Sequence, residues 1–299
     1  MGALMTTHQP SWGRFFVDDK SPGGLLGATQ IRRLAESLGV VPTKKLGQNF
    51  VHDANTIRRI VQIAGVGPGD HVLEVGPGLG SLTLGLVESG ARVSVIEIDP
   101  RLAEALPGTL ESRFPGSPVT VMTADALTVR EVPGDPNAVV ANLPYNTSVP
   151  ITLHLLEHLP SIATVLVMVQ AEVAERLAAS PGSKAYGAPS VKARWYGRWS
   201  VAGSVPRQVF WPVPNVDSLL VKMERTQPPG DDVLRRVVFE LVEHAFATRR
   251  KMVRGALANY LGSDRASDLI TQAGLRPEAR GEQWTLDDFV SLARVVMAS

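Results

Sequence analysis

The sequence predicts an α/β fold: a doubly wound, Rossmann-like cofactor-binding domain followed by a small all-helical C-terminal domain. Between residues 54 and 178, segments rich in Val and Ile alternate with helical segments, which is typical of a parallel sheet covered on both faces. The glycine-rich turn VGPGLG directly follows one apolar strand and opens a helix. From Asp231 to the end, only helical patterns are found.

The bulk composition sets broad limits on function. The 299 residues suffice for one large domain and one small one, and a net charge of +1 leaves any basic surface to local clustering. The absence of cysteine excludes disulfides and thiolate zinc sites, and it fits a reducing compartment. No apolar run is long enough to span a bilayer, and no secretory signal is recognisable. We therefore expect a cytoplasmic protein that does not contact a membrane.

Composition shifts divide the chain into three parts. Residues 1–43 are predicted to be a partly disordered N-terminal extension that contains one short helix, ATQIRRLAESLG. Residues 44–226 form the Rossmann-like domain. The linker TQPPGDD then leads into a helical domain, residues 227–299.

Within the Rossmann-like domain the elements follow in order. Asp53 is a plausible N-cap for the helix ANTIRRIVQIAG. Strands are predicted over HVLEVG, RVSVIEID, VTVMTAD, NAVVANLP and ATVLVMVQ. Helices are predicted over residues 81–89, 101–113 and 148–159 and over AEVAERLAA. Two late strands are expected in VKARWYGRWSVAG and SLLVKMER, on either side of a proline-rich loop.

The glycine turn predicts a nucleoside cofactor. Gly76, Gly78 and Gly80 let the backbone approach a ligand, and the following helix offers unpaired N–H groups. Glu97 ends the next strand, where a carboxylate can accept hydrogen bonds from both hydroxyls of a ribose. Asp125 ends the third strand and either bonds an adenine amino group or simply caps a helix. The turn alone fits both a dinucleotide and a sulfonium-bearing nucleoside.

The sequence NLPY, Asn142–Tyr145, follows the fourth strand and favours the second choice. Pro144 restricts Leu143 to extended geometry and stiffens the loop. Asn142 then presents an amide oxygen and Tyr145 an aromatic face, which together suit a planar base with an exocyclic amine. A plain surface turn is the alternative interpretation of these four residues.

The chemistry of such an amine explains these groups. Its lone pair is delocalised into the ring, so two acceptors bonded to its hydrogens would favour a more localised, nucleophilic geometry. Alignment with a sulfonium methyl donor in a water-poor pocket supplies further acceleration. No strong base or metal is demanded, and the six histidines lack ligand spacing.

In their residues and in their order along the chain, several motifs resemble those of the KsgA/RsmA family of small-subunit (16S) rRNA adenine N6,N6-dimethyltransferases. They are KKLGQNFVHD, VLEVGPGLGSLT, VIEIDPRL, TADAL, NLPYNTSVPI, MVQAEVAERLAA, GSKAYGAPSV, VFWPVPNVDS and AFATRRKMVRGAL. The resemblance runs from about Lys44 to the C-terminus. It implies S-adenosyl-L-methionine as donor and dimethylation of two adjacent adenines near the 3′ end of the small-subunit rRNA during ribosome assembly.

The same resemblance implies roles for individual residues. The donor would be bound by Asn49, Val51, Gly76, Gly78, Glu97, Asp125 and Asn142. The catalytic group would be Asn142, Leu143, Pro144, Tyr145 and Phe210, with the target base between the rings of Tyr145 and Phe210. Valine at position 51, where the family usually has leucine, is a departure. Without the resemblance, Phe210 would be interpreted as a core aromatic.

Two basic clusters are candidates for RNA contact. They contain Lys44, Lys45, Arg58 and Arg59 near the donor loop, and Arg249, Arg250, Lys251 and Arg254 in the helical domain. Solvated helix faces are the alternative. The segment KMVRGAL departs from the usual family pattern and affects only these contacts. The expected partners are small-subunit rRNA and the immature 30S subunit, and we expect a monomer without a metal.

Three other functions stay open at this point. One is an Erm-type dimethylase acting on large-subunit rRNA, although GQNF and the segment GSKAYGAPSVKARWY favour the small-subunit group. Another is a non-catalytic rRNA-binding assembly factor, which would have no need of an intact NLPY. A nicotinamide-dependent oxidoreductase is the third, and it would need a hydride-transfer acid that the sequence does not show.

Overall fold

The computed structural model describes residues 24–42, 49–248 and 250–299. Its strands are β1 Phe50–Val51, β2 His71–Val75, β3 Arg92–Glu97, β4 Val119–Thr123, β5 Ala138–Asn142, β6 Thr164–Gln170, β7 Gly197–Val205, β8 Phe210–Trp211 and β9 Ser218–Arg225. Its helices are α1 Ala28–Ser37, α2 Ala54–Ala64, α3 Ser81–Glu88, α4 Pro100–Arg113, α5 Ser148–His158, α6 Ala171–Ala178, α7 Ala188–Arg194, α8 Asp232–Ala247, α9 Val253–Leu261, α10 Ser263–Gln272 and α11 Leu286–Ala298.

Seven strands form one sheet in the order β4-β3-β2-β5-β6-β9-β7. The first five of these strands are parallel, whereas β9 runs antiparallel to both β6 and β7. Strands β1 and β8 form a separate antiparallel pair, in which Val51 lies opposite Phe210. Chain order reverses at β2, which has β3 on one side and β5 on the other, so the switch point lies at the carboxyl end of β2. The predicted fold class is confirmed.

Local signals set several helix ends. The carboxylate of Asp53 accepts a hydrogen bond from the Thr56 amide at 2.7 Å and so caps α2, as predicted. Helix α2 then ends at Gly65, whose φ of 72° is costly for other residues. Asp231 caps α8 in the same way, through the Leu234 amide at 2.9 Å.

One predicted strand is wrong at its start. The residues VKAR belong to α7, and β7 begins only at Gly197. The residues VKAR alternate between apolar and basic, which is the pattern of a strand. However, Pro189 lies in the first turn of α7, where its fixed φ favours a helix. The Ser190 hydroxyl also accepts a hydrogen bond from the Gly187 amide at 3.0 Å, which fixes the helix start.

The buried apolar residues form two clusters. One contains Leu26, Ile31 and Leu34 from in and around α1 together with Phe50 and Val51 of β1, so α1 packs on the same core as the start of the Rossmann-like domain. The other contains side chains from both sides of residue 227, including those of β9 and α8. The helical region therefore shares a continuous apolar core with the sheet.

An ion pair reinforces the junction between the sheet domain and the helical region. The guanidinium of Arg235, on α8, contacts the Glu157 carboxylate of α5 at 2.7 Å while its side chain is only 8% exposed. It also lies 5.5 Å from the ring centre of Phe239, and Lys192 of α7 lies over that same ring. Within the described ranges, none of the helices is both long and apolar enough to cross a bilayer.

Candidate active site

A cleft opens at the carboxyl ends of the parallel strands, on the switch point. It is lined by residues of the glycine turn, of β1, of the ends of β2 and β3, and of the loops that follow β4 and β5. Of the predicted donor-binding residues, the structure brings all seven to this cleft: Asn49, Val51, Gly76, Gly78, Glu97, Asp125 and Asn142. Residues separated by up to 93 positions in the chain therefore meet at one place.

The glycine turn has a backbone that requires glycine. Gly76 and Gly78 have φ values of 67° and 58°. A Cβ added to Gly76 would meet no atom within 4 Å, whereas one added to Gly78 would lie 2.8 Å from the Phe50 ring. The turn is thus open toward the cleft at Gly76 and closely packed against β1 at Gly78.

Glu97 is 5% exposed and is held by backbone amides. One carboxylate oxygen accepts from Gly78 at 3.2 Å, and the other accepts from Asp99 at 2.9 Å. Burial raises the pKa of Glu97, and these backbone hydrogen bonds oppose the rise. Each carboxylate oxygen retains a second lone-pair site, so this carboxylate can also accept from a ligand hydroxyl.

Two aspartates border the cleft and serve as turn or helix caps. Asp99 accepts from the Arg101 amide at 3.0 Å at the start of α4, and its carboxylate pairs with the Arg101 guanidinium at 2.7 Å. These hydrogen bonds to Arg101 hold the pKa of Asp99 below its usual value. Asp125 is exposed and accepts from the Leu127 amide at 2.9 Å. Both interpretations of Asp125, cap and cleft residue, are therefore compatible with its position.

The side chain of Asn142, at the end of β5, is hydrogen-bonded to Asn49, which directly precedes β1. Its Nδ2 donates to the main-chain oxygen of Asn49 at 2.9 Å, across 93 residues of sequence. This bond fixes the orientation of the amide and leaves its oxygen as the atom that can accept a hydrogen bond from a bound amine. The end of β5 is thus tied to the residue that precedes β1.

The rest of NLPY divides between cleft and core. Pro144 lines the cleft, but Leu143 is 2% exposed and packs in the sheet core. Tyr145 is half-buried and, unlike Pro144, is not among the residues that line the cleft; its hydroxyl shares a hydrogen bond of 2.9 Å with Ser218 of β9. Burial raises the pKa of Tyr145, so the phenol is neutral at physiological pH. Asn146 and Thr147 continue the cleft wall.

Phe210 lies in the core. It is 1% exposed in β8, opposite Val51 of β1, and it is not among the residues that line the cleft. The neighbouring Trp211 stacks on Phe50 with ring centres 6.2 Å apart. The structure therefore does not bring the ring of Phe210 to the position that the resemblance implied.

Two buried polar atoms in the cleft have no hydrogen-bond partner among the residues that the structure describes, and sequence reasoning missed both residues. They are Oε2 of Glu74, on β2, and Oγ of Ser81, in the first turn of α3. Buried polar atoms are normally satisfied, so such atoms beside an open glycine turn fit a polar ligand like the amino-acid part of S-adenosylmethionine. The signal was present as a single acid inside the apolar strand HVLEV.

The predicted RNA-contact residues are only partly described. Lys44, Lys45 and Arg249 lie outside the described residues. Arg250 and Lys251 are exposed in the loop between α8 and α9.

Two further cations lie near that loop. An antiparallel bridge joins Met252 to Arg280, and the Arg254 amide donates to Pro277 O at 3.3 Å. The exposed side chains of Arg276 and Arg280 are thereby brought to the same surface, which the sequence did not predict. In the other predicted cluster, the two described arginines are engaged within the protein, since Arg58 pairs with Glu88 at 2.8 Å and Arg59 donates to Ser204 O.

Comparison with known proteins identifies the family. A family model described as ribosomal RNA adenine dimethylase matches residues 42–297. A ribosomal RNA small subunit methyltransferase A of Leifsonia xyli subsp. xyli is 60% identical over 273 residues, which are 90% of this chain and 98% of the relative. Another, from Cutibacterium acnes, is 56% identical over 287 residues, covering 93% and 95% of the two chains.

Two solved structures have a fold similar to that of this chain. The 23S rRNA methyltransferase ErmE is 29% identical and matches with a TM-score of 0.62, over 83% of this chain and 99% of its own. A dimethyladenosine transferase from Plasmodium falciparum has a TM-score of 0.69 at 23% identity, over 81% and 95% of the two chains. The chain belongs to the ribosomal RNA adenine dimethylase family, as its motifs predicted.

Proposed function

We propose that this protein transfers methyl groups from S-adenosylmethionine to the N6 atoms of two adjacent adenines near the 3′ end of small-subunit rRNA. The observation that carries this proposal is the Asn142 amide, which is fixed by Asn49 in the same cleft as the glycine turn and Glu97. The relatives that match over nearly their whole length are named as small-subunit enzymes. We further propose that the protein acts as a cytoplasmic monomer on immature 30S subunits.

The donor half of the cleft would hold the cofactor through the main chain and through acids. Gly76 offers the open approach, Glu97 the ribose acceptor and Asp125 an acceptor for the adenine amino group. Val51 of β1 and Asn49, just before that strand, would cover the donor. When bound, S-adenosylmethionine supplies an electrophilic methyl group on a sulfonium. The protein's part is to exclude water from that group and to orient it.

The target half would position the amine. The Asn142 oxygen accepts a hydrogen bond from N6, which favours a localised lone pair as attack begins. Pro144 provides the rigid wall beside it, and the ring of Tyr145 stacks on the extruded base. A role for Phe210 on the other face of the base stays a prediction, and its ring would have to leave the core to fulfil it.

RNA contact would come from the helical region, residues 227–299. Arg250, Lys251 and Arg254 are exposed beside Arg276 and Arg280, so several cations can meet the phosphates of one RNA segment. Because RNA sequence is read mainly in unpaired regions, this surface would recognise shape while the cleft selects the base.

The decisive experiment is methyl transfer with labelled donor. Purified protein is incubated with undermethylated 30S subunits and, separately, with 50S subunits, and the labelled bases are mapped by mass spectrometry. We expect dimethyladenosine at two adjacent positions near the 3′ end of small-subunit rRNA. Label only in large-subunit rRNA would establish an Erm-type enzyme, and subunit binding without transfer would establish a non-catalytic assembly factor.

A further inference from the structure

Gln170 is a polar residue at the carboxyl edge of the sheet that the proposed mechanism does not use. It is the last residue of β6, where the strand leads directly into α6, and its side chain is half-buried. It occupies the N-cap position of α6, yet its side chain makes no capping hydrogen bond. Short side chains with an oxygen are preferred at that position, so capping does not account for a glutamine. Among the described residues, its amide has no hydrogen-bond partner.

The strand register places Gln170 beside the amide that would bind the target amine. Asn142, at the end of β5, lies opposite Met168 of β6, and side chains two residues apart on a strand share a face. The side chains of Asn142 and Gln170 therefore project from the same face of the sheet. Neighbouring strands lie about 4.8 Å apart and two residues span about 6.6 Å, so the two Cα atoms are on the order of 8 Å apart.

The pairing with β9 connects Gln170 to Tyr145 as well. Gln170 lies opposite Ser218, whose hydroxyl shares the 2.9 Å hydrogen bond with the Tyr145 hydroxyl. Because directly opposite residues of adjacent strands point to the same face, the Gln170 amide lies on the face where Tyr145 is held. The main chain is fixed here too, since the Ala171 amide donates to Asp217 O at 2.9 Å. The two strand-end amides and the tyrosine ring therefore border one space.

The charged side chains close to Gln170 along the chain and across the sheet are paired with each other. Glu172 contacts Arg176 at 2.6 Å, and Asp217 contacts Arg207 at 3.1 Å. Gln170 adds a neutral amide to this edge, which suits a neutral ligand better than a phosphate. Such an amide has two donor hydrogens and an acceptor oxygen, and glutamine amides bind adenine through its amine and ring nitrogens.

We propose that the side-chain amide of Gln170 donates a hydrogen bond to a ring nitrogen of the target adenine, N1 or N7, the two acceptors nearest to the amine. This inference rests on the proposed function. Asn142 would hold the amine and Tyr145 the plane of the base. A third contact would then stop the base from rotating within its plane, so that the amine stays directed at the methyl donor. Gln170 changes no covalent bond in this role.

Atomic substitution in the RNA tests this contact. Small-subunit rRNA is reconstituted into 30S subunits with adenosine, 1-deazaadenosine or 7-deazaadenosine at one target position. Both analogues keep the amine, and each lacks one ring nitrogen. Labelled methyl transfer to that position is followed by mass spectrometry. For each analogue, the kcat/KM values of the unaltered protein and of Gln170→Ala complete a double-mutant cycle, in which the intrinsic effect of the analogue cancels.

We expect Gln170→Ala to lower kcat/KM for adenosine about three- to tenfold, the effect of one neutral hydrogen bond. The variant should show little further loss with the analogue that lacks the bonded nitrogen, and its full loss with the other analogue. Gln170→Glu keeps the shape but places acceptor oxygens against the ring nitrogen, so its loss should be at least as large. Gln62→Ala, at an exposed position on α2, is the matched control and should retain normal turnover.

The outcomes separate this contact from the proposed function. Coupling with an analogue supports the contact and identifies the nitrogen. Equal effects of Gln170→Ala with all three bases, or full activity of Gln170→Glu, would overturn the contact and leave the methyltransferase assignment intact. A fall in affinity for S-adenosylhomocysteine as large as the fall in kcat/KM would also overturn it, because the variant would then disturb the donor cleft. If the unaltered protein transfers no methyl group to subunits that carry adenosine, the proposed function fails, and this inference with it.

Discussion

The donor half and the target half of the cleft are built differently. On the donor side, the open turn at Gly76 and the unpaired atoms of Glu74 and Ser81 leave groups ready for a ligand. On the target side, the Tyr145 hydroxyl is bonded to Ser218 and Phe210 is enclosed by the core. The donor half is therefore preorganised in the protein alone, whereas the target half is engaged in contacts of its own. Asn142 belongs to both halves, because it faces the cleft and anchors Asn49.

The largest effect is expected at this shared residue. Asn142→Ala should lower kcat for methyl transfer about 100- to 1000-fold, the usual cost of removing one acceptor or donor that acts in the transition state. Donor affinity measured by calorimetry should fall much less. Asn146→Ala, an exposed residue of the same cleft wall, is the matched control and should retain near-normal turnover. Equal losses in both variants would show that the Asn142 amide has no special role.

The target half can be tested separately at Tyr145. Tyr145→Ala should lower kcat/KM for rRNA because base stacking is lost. The expected loss of transition-state stabilisation is about 1–3 kcal/mol. Tyr145→Phe keeps the ring and removes only the hydrogen bond to Ser218, so it should stay within a few-fold of the unaltered protein. Affinity for S-adenosylhomocysteine should be unchanged in both. If Phe is as damaging as Ala, the hydroxyl and not the ring is the important group.

The donor half of the cleft can be tested by a substitution at Gly78. Gly78→Ala should lower the free energy of unfolding by about 1–3 kcal/mol and weaken donor binding, because the new methyl group meets strain at positive φ and a contact with Phe50. Gly116→Ala is the matched control, since its φ of 73° imposes similar strain with nothing within 4 Å of the new carbon. Thermal denaturation of both variants separates strain from the clash. Equal destabilisation would mean that the Phe50 contact is soft.

The buried acid of the donor half predicts a pH dependence of stability. The pKa of Glu74 is raised to about 8 by burial, above the ordinary value of 4.5 in an unfolded chain. The folded state then holds a proton that the unfolded state has lost, so this contribution is fully present below pH 4.5 and is lost as the pH rises through 8. Its slope is at most about 1.4 kcal/mol per pH unit.

Denaturant unfolding between pH 5 and 8 measures this slope. Glu74→Gln should remove that part of the decline, whereas Glu104→Gln, at an exposed position of α4, should keep it. Parallel curves for the unaltered protein and Glu74→Gln would show that the acid is ionised in the folded state.

The smallest effect is expected at the basic surface formed by Arg250 and Lys251. Replacing Arg250 and Lys251 by Ala should flatten the salt dependence of rRNA affinity by roughly 0.7–0.9 in logarithmic slope for each lost phosphate contact. Arg32→Ala with Arg33→Ala, exposed positions on α1, is the control. An unchanged slope in the first variant would mean that these cations are simply solvated.

The sequence indicated which residues meet in the donor half of the cleft because most of the signals are local. A glycine turn after a buried strand, an acid at the end of the next strand and the Asp53 cap all depend on neighbours within a few residues. The family motifs then supplied Asn142. What could not be read depends on packing between distant segments, as with the burial of Phe210 against β1 or the approach of Arg280 to Met252. Glu74 was missed because it is one acid within an apolar strand. The residues of α7 were predicted as a strand because they alternate between apolar and basic.

The junction at Arg235 has a consequence for how the enzyme would select its nucleotides. Because α8 is joined to α5 by an ion pair whose arginine is buried, and by a shared apolar core, the helical region has little freedom to move relative to the sheet. An RNA gripped at the loop before α9 would therefore reach the cleft along a path of set length. The spacing between the bound RNA segment and the target adenines would then be fixed. Insertion of one nucleotide between them would put the wrong base at Asn142.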